Sequence, residues 1–181
     1  MNIHFNSSFY PIYTIQYDQI KNKQKQLDKY IPQKWQFILT NTGSFTQNLN
    51  SLFIDKITIE MRQKYQYSSE KKLLNIRNTW LIKQHTKLTT FAKSIWSINN
   101  KHIIYSKILN QQPIGYSLID SEIDIYKHLQ EIYCGYSNDL ESSFQQRNII
   151  WGRKYKVYYP NESFVIMKEY FMPQIIESLN Q

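Results

Sequence analysis

The chain has 181 residues with a formal net charge of +8, and 41% of these residues are hydrophobic. This length fits one domain with a substantial core, and the hydrophobic fraction excludes an intrinsically disordered chain. The single cysteine, Cys134, excludes an intrachain disulfide and a zinc site built from several cysteines.

Motifs for nucleotide and metal binding are missing. The chain has only four glycines, neither GxGxxG nor GxxxxGK[ST] occurs, and the four histidines lie without metal-ligand spacing. We therefore predict no cofactor and no bound metal. The positive charge leaves two explanations open: an anionic partner, or the coding bias of an AT-rich genome in a chain heavy in Lys, Asn, Ile and Tyr.

Targeting and membrane signals are also missing. The amino terminus has no basic segment before an apolar core, and no apolar run approaches the roughly 20 residues of a transmembrane helix. We expect a soluble protein that is used where it is made and that does not insert stably into a membrane.

The first part of the chain favours helices. Residues 1–31 are interpreted as an N-terminal helical arm or extension, and residues 32–181 as the main domain. Pro32 begins a short helix, and Ser44-Phe45-Thr46-Gln47 is a capping box that begins another. The apolar stripe of the first of these helices is Trp35, Ile38 and Leu39.

Alternating apolar and polar residues then predict three strands, at 54–65, 73–81 and 88–98. The last two flank a polar tip and predict a hairpin. Arg77 lies in the phase of Leu73 and Leu81, so a positive charge shares a face with apolar neighbours.

The next segment is predicted to return to helix. Ser121–Tyr133 has an i, i+3, i+4 apolar stripe and is followed by Gly135, typical of a helix C-terminus. Residues 137–148 are polar and predicted to form a loop.

A second hairpin closes the chain. Residues 154–159 and 164–172 flank the turn Pro160-Asn161-Glu162-Ser163, and Pro173 ends the returning strand. Glu169 shares a face with Val165, Met167 and Phe171 there. Burying a carboxylate costs several kcal/mol unless it is paired, so Glu169 either reaches solvent at an edge or has a specific role.

Segregated helices and strands predict an α+β fold: a single antiparallel β-sheet with helices packed on it.

Several motifs then give the chain a resemblance to a known family. They are Gly43-Ser44-Phe45-Thr46, Ile76-Arg77-Asn78-Thr79-Trp80-Leu81, Phe91-Ala92-Lys93-Ser94, Gln112-Pro113-Ile114-Gly115, Ile150-Trp151-Gly152-Arg153 and Lys168-Glu169-Tyr170-Phe171-Met172-Pro173. In this order and spacing the chain resembles the chorismate–pyruvate lyase family, especially its plastid-encoded and cyanobacterial branch.

The resemblance implies a chorismate lyase-like fold and the release of pyruvate from chorismate, which gives 4-hydroxybenzoate for quinone biosynthesis without a metal or redox cofactor. It maps the carboxylate-binding arginine onto Arg77 and the glutamate near the 4-oxygen onto Glu169. It places Phe45 and Ile114 beside the substrate pocket. The resemblance implies that the partner is the small anion chorismate; nucleic acid is not expected as a partner. We further expect a monomer, located in the plastid stroma if the gene is organellar and in the cytoplasm otherwise.

One departure from the family concerns the second carboxylate of chorismate. Bacterial members have a second arginine where this chain has Ser94, and the adjacent Lys93 is predicted to point to the opposite sheet face. Arg153 or Arg62 is a candidate substitute, although Arg153 is expected at a sheet edge or in a structural ion pair. Two alternatives to the enzyme remain open: a non-catalytic domain of the same fold that binds small aromatic acids, and a nucleic-acid binder with its lysines gathered on one face.

Overall fold

The sheet is the framework of the molecule. The structure, a computed structural model, describes residues 8–22, 24–43, 45, 57–67, 73–83, 88–97, 126–145, 147–159 and 163–177. Its strands are β1 (Tyr10–Gln16), β2 (Ile57–Tyr67), β3 (Leu73–Lys83), β4 (Leu88–Ser97), β5 (Tyr126–Tyr136), β6 (Ile150–Tyr158) and β7 (Phe164–Phe171). They form one antiparallel 7-stranded sheet in the order β1-β5-β6-β7-β4-β3-β2.

Short helices accompany this sheet. They are α1 (Tyr17–Ile20), a 3-10 helix (Gln24–Lys29), α2 (Gln33–Leu39), α3 (Asn138–Phe144) and α4 (Gln174–Glu177). The predicted α+β class with a single antiparallel sheet is confirmed. The helix after Pro32 is also confirmed, with its predicted stripe of Trp35, Ile38 and Leu39 buried.

Strand β5 corrects the prediction of a helix over residues 121–133. From Tyr126 onward the segment is a strand between β1 and β6, while residues 121–125 lie outside the described part of the chain. The alternation was hidden because both faces of this strand are covered: Ile132 and Tyr133 point to opposite faces and both are buried. Gly135 is a strand residue, not a helix end, and a Cβ there would collide with the Tyr10 carbonyl oxygen.

Two further segments differ from their predictions. The predicted loop over 137–148 contains helix α3, whose start is capped by Ser137: the Leu140 amide donates to Ser137 Oγ, and the Ser137 amide donates to Glu141 Oε1. Within the predicted N-terminal helical arm, Tyr10–Gln16 is the edge strand β1, paired antiparallel with β5.

The sheet has a hydrophobic cluster on each face. One cluster includes Trp35, Ile38 and Leu39 of α2, packed with sheet residues such as Val165 and Phe171. The other includes Leu140 and Phe144 of α3, packed on residues such as Trp80, Phe91, Tyr133 and Tyr170. The side chains at the centre of the sheet are therefore buried on both faces.

Candidate functional site

Arg77 and Glu169 lie on the same face of the sheet, which we call the site face. Residues paired across neighbouring strands point to the same side, and the register aligns Arg77 with Ser94 on β4, and Glu169 with Ala92 on β4. Strand β4 lies between them, so their Cα atoms are about 10 Å apart across the sheet and about 7 Å apart along it. Both side chains are buried, with exposed fractions of 1% and 6%.

Glu169 is held by two donors from β6. Arg153 is its directly paired residue, and Arg153 Nε donates to Glu169 Oε2 at 2.6 Å. The Tyr155 hydroxyl donates to Glu169 Oε1 at 2.8 Å. The carboxylate is therefore buried and paired, and it does not reach solvent at an edge, since β7 lies inside the sheet.

The charge state of Glu169 follows from these neighbours. Burial raises the pKa of this carboxyl, but the positive charges of Arg153 and Lys127 and the hydrogen bonds from Arg153 and Tyr155 outweigh burial, so the pKa lies below its ordinary value. Burial raises the pKa of Tyr155 well above its ordinary value, so this hydroxyl keeps its proton. Glu169 is thus an ionised acceptor at neutral pH.

Arg153 is a fully buried member of this ion pair and does not lie at a sheet edge. Its Nη1 donates to the carbonyl oxygens of Ile38 at 2.7 Å and Asn41 at 2.8 Å, which ties the end of α2 to the sheet. Its guanidinium carbon lies 5.6 Å from the ring centre of Phe45. Its Nη2 is buried and has no hydrogen-bond acceptor in the described part of the chain.

Lys127 is a site-face residue that the sequence analysis missed, since it fell on the predicted helix. On β5 it pairs with Val157, and its Nζ lies 4.1 Å from the ring centre of Tyr155. Nζ also donates to the carbonyl oxygens of Asn41 at 3.3 Å and Gly43 at 3.4 Å. Burial, together with the charge of Arg153, lowers the pKa of Lys127 to about 7, although Glu169 opposes the shift.

Arg77 lies in a separate polar cluster on the same face. Its Nε donates to Gln63 Oε1 at 3.1 Å, and its guanidinium carbon is 5.4 Å from the ring centre of Trp96. The Tyr159 ring stacks on Trp96 with centroids 6.0 Å apart. Burial lowers the pKa of Arg77, although Tyr65 and Tyr159 oppose the shift, and a guanidinium stays charged in proteins.

Ser94 occupies the position of the second family arginine. It is buried directly opposite Arg77, and its Oγ accepts a hydrogen bond from Trp96 Nε1 at 2.9 Å. Lys93 is exposed on the opposite face, which confirms the prediction that it points away from Arg77. Neither residue supplies a cation to the site face.

The remaining predicted site residues are Phe45 and Ile114. Phe45 is buried, and its ring meets the Phe171 ring edge-on with centroids 4.9 Å apart, so it joins the cluster around Arg153 and Glu169. Ile114 lies outside the described residues.

The opposite face carries a row of lysines. Lys93, Lys168 and Lys154 occupy paired positions on β4, β7 and β6. Lys154 is bound to Glu131 at 2.8 Å, whereas Lys93 and Lys168 are exposed. Three lysines, one of them paired with Glu131, therefore lie together on this face, and the nucleic-acid alternative would need such a grouping.

Comparison with known proteins identifies the family of the chain. The sequence model of a family described as "Chorismate pyruvate-lyase Rv2949c-like" matches residues 39–179. The chain belongs to this family. The matched range includes Phe45, Arg77, Lys127, Arg153 and Glu169, the site-face residues described above.

Algal proteins are similar to this chain over most of its length. A protein of Antithamnion sp. is 44% identical over 179 residues, which cover 99% of this chain and 98% of the relative. A protein of Porphyra purpurea is 34% identical over 146 residues, covering 79% and 83%, and one of Cyanophora paradoxa is 28% identical over 160 residues, covering 82% and 80%. Each of these relatives bears the name "Uncharacterized protein ycf21".

The described residues contain no helix long and apolar enough to cross a membrane. On the site face, two buried arginines, a half-buried lysine and a buried, ionised glutamate lie among aromatic rings. Such an arrangement is suited to binding a small aromatic acid through its carboxylates.

Proposed function

We propose that this protein is a chorismate lyase that releases pyruvate from chorismate and forms 4-hydroxybenzoate. One observation carries the proposal: within a chain of the Rv2949c-like family, Arg77 and Glu169 are both buried on one sheet face. A buried guanidinium and a buried carboxylate on neighbouring parts of one face suit the orientation of a small anionic ring.

The reaction is an elimination that aromatises the ring. The ether bond between ring carbon 3 and the enolpyruvyl oxygen breaks, and the hydrogen on carbon 4 leaves as a proton. Enolpyruvate then takes a proton on its terminal carbon and becomes pyruvate. The gain of aromaticity drives these steps, so the chemistry requires no redox partner.

Arg77 is proposed to bind the ring carboxylate, since a guanidinium can make paired hydrogen bonds to a carboxylate. Glu169 is proposed to act as an acceptor near the 4-hydroxyl and the departing C4 proton, because its lowered pKa keeps it ionised. A positioned base contributes roughly 10²–10⁴-fold to rate. Phe45 and Ile114 are proposed to line the pocket around the ring.

We further propose that the product supplies a quinone ring precursor in the plastid stroma. Support comes from the algal relatives, Antithamnion sp. and Porphyra purpurea among them, and from the AT-rich coding bias in the composition. We propose that residues 1–31 extend the catalytic domain at 32–181 by adding strand β1 to its sheet, and that the protein acts as a monomer.

The decisive experiment incubates purified protein with chorismate and measures 4-hydroxybenzoate and pyruvate in equal amounts. Arg77→Ala is expected to weaken chorismate binding roughly 10- to 100-fold, the loss of a charged hydrogen-bonding partner. Glu169→Gln is expected to bind chorismate but to turn it over roughly 10²–10⁴-fold more slowly. Lys93→Ala, on the opposite face, is the control and should behave as wild type.

Two results would count against the enzyme. Normal turnover in both site variants would exclude the assigned residues. Binding of chorismate and 4-hydroxybenzoate without any product would instead favour the alternative of a non-catalytic small-acid-binding domain with the same fold.

The lysine row on the opposite face favours a second candidate function, the binding of nucleic acid. Lys93 and Lys168 are exposed there, and an exposed basic face attracts phosphates. Titration of labelled RNA at several salt concentrations tests it: affinity at physiological ionic strength that falls with salt and is lost in Lys93→Glu/Lys168→Glu would support this function.

A further inference from the structure

The cluster around Glu169 has an imbalance of charge. Arg153 and the protonated form of Lys127 are two positive groups in this part of the site face, and Glu169 is the one carboxylate that the described residues place against them. Because the pKa of Lys127 is about 7, a further anion beside the amine would hold it in its protonated form. Enclosed ions are stable only when they are paired, because the interior screens charge poorly. The cluster therefore has the electrostatic character of a receptor for one more anion.

The same cluster has unused hydrogen-bond donors. Arg153 Nε is taken by Glu169 and Nη1 by two carbonyl oxygens, but Nη2 is buried without an acceptor in the described part of the chain. Lys127 Nζ has three donor hydrogens and makes two long contacts, to Asn41 and Gly43. Arg153 Nη1 and Lys127 Nζ share the Asn41 carbonyl oxygen at 2.8 and 3.3 Å, so the two cationic groups lie side by side.

A second unused donor lies at the Arg77 end of the site face. The Tyr159 hydroxyl is buried without a described partner, and burial raises the pKa of Tyr159, although Arg77 opposes the shift, so the hydroxyl keeps its proton. Strands β3 and β6 are separated by β4 and β7, so the Arg77 and Arg153 backbones lie about 14 Å apart across the sheet. Both arginine side chains belong to the site face, one on each side of the β7–β4 pair.

We propose that Arg153 Nη2 and Lys127 Nζ bind the second carboxylate of a dicarboxylate ligand whose first carboxylate is held by Arg77 and the Tyr159 hydroxyl. The inference rests on the proposed function. Arg153 and Lys127 would replace the arginine that bacterial members of the family have at the position of Ser94. The second carboxylate is thus recognised from β5 and β6, at the far side of the ring from β3. The ligand class is a small aromatic or cyclic dianion, and monoanions lack half of the contacts.

A purely structural role of Arg153 and Lys127, tying residues 41–43 to the sheet, predicts a different behaviour. Loss of these structural contacts would lower the stability of the protein and weaken the binding of every ligand of the site by the same factor. A carboxylate-binding role instead changes the preference between ligands with one and two carboxylates.

The experiment is isothermal titration calorimetry with a matched pair of stable aromatic probes. The dianion is 3-(carboxymethoxy)-4-hydroxybenzoate, which cannot undergo the elimination because its ring is already aromatic, and the monoanion is 4-hydroxybenzoate. Wild type should prefer the dianion. Lys127→Met should weaken binding of the dianion roughly 10- to 100-fold, as expected for a lost charged contact. Its affinity for the monoanion should equal that of wild type. Lys93→Met, which removes a lysine from the opposite face, should change neither.

Lys127→Arg keeps the charge and should retain most of the preference, which separates loss of a contact from loss of folding. Three results would each overturn the inference. Lys127→Met could lose the same factor of affinity for both probes, it could bind the dianion as tightly as wild type, or wild type itself could show no preference for the dianion. Failure of the lyase proposal is distinguishable: wild type would then prefer the dianion probe yet form no pyruvate from chorismate.

Discussion

Arg153 and Glu169 occupy directly paired positions on β6 and β7, and their side chains form an ion pair of 2.6 Å with both groups buried. This pair joins the functional and the structural roles of the site. The same guanidinium that holds the Glu169 carboxylate also binds the backbone at the end of α2, so the position of Glu169 is coupled to the covering of the site face.

The first prediction concerns the cost of breaking this pair. Arg153→Met leaves the Glu169 carboxylate buried without its cation, so we expect the free energy of unfolding to fall by about 3–5 kcal/mol. Urea denaturation followed by circular dichroism measures it. The double variant Arg153→Met/Glu169→Leu should recover much of the lost stability, since an apolar pair leaves no uncompensated charge. A loss below about 1 kcal/mol in Arg153→Met would contradict the prediction, because it would mean that the ion pair contributes no more than an exposed surface salt bridge.

The second prediction concerns the loss of folding stability at acid pH. The pKa of Glu169 is lower in the folded state than its ordinary value of 4.5, so the unfolded chain binds the proton more readily. The stability contributed by Glu169 is therefore complete above about pH 4.5 and is lost as the pH falls below it through the folded-state pKa. Melting temperatures between pH 7 and pH 3 should fall less steeply in Glu169→Gln than in wild type. Glu60→Gln, at an exposed position on β2, is the control, and identical slopes in all three proteins would contradict the assignment.

The third prediction concerns Lys127 on the alkaline side. Its folded-state pKa of about 7 lies below the ordinary 10.5, so the unfolded chain binds more protons between these values. The free energy of unfolding should therefore rise with pH from 7 to 9. Denaturation at several pH values should show this slope in wild type and a reduced slope in Lys127→Met. An unchanged slope would mean that the amine is solvated in the folded protein.

The fourth prediction uses the close packing behind the ion pair. Gly152 lies between the Tyr133 ring and the Glu169 carbonyl oxygen, and a Cβ there has no room. The Tyr133 hydroxyl donates to the carbonyl oxygens of Arg153 at 3.2 Å and Glu169 at 3.3 Å, so its displacement disturbs both strands.

Gly152→Ala is therefore expected to lower stability by about 1–3 kcal/mol, the usual cost of overpacking, and to reduce chorismate turnover. Gly43→Ala is the matched control, because among the described residues its Cβ would meet the Asn41 side chain alone, at 3.3 Å. Thermal unfolding of both variants tests the comparison, and equal melting temperatures would show that the contact at Gly152 relaxes freely.

The sequence alone was sufficient to predict elements that have one buried and one exposed face. Strand β2 shows this clearly, because its buried or half-buried Ile57, Ile59 and Met61 alternate with exposed residues. Arg77 and Glu169 could be recognised for the same reason: each is a charge in the phase of apolar residues, and each is buried. Strand β5 was missed because residues 132–135 are buried on both faces, which removes the alternation there. An i, i+3, i+4 stripe then fits the apolar residues of the strand equally well.

Helix α3 could have been found from Ser137, Glu141 and the i, i+4 pair Leu140 and Phe144, a capping residue followed by an apolar stripe. No local signal pointed to Lys127, because its burial depends on Asn41, Gly43 and Tyr155, which are distant in sequence.

Local patterns thus determined that this chain forms an antiparallel sheet and that two of its charges are unusual, since alternation and turn chemistry act over a few residues. Only the tertiary structure decided what those charges meet. The strand order places β4 between β3 and β7, and the register sets Arg153 against Glu169. Strand order and register arise from contacts between residues far apart in the chain, and a single sequence carries no local record of them.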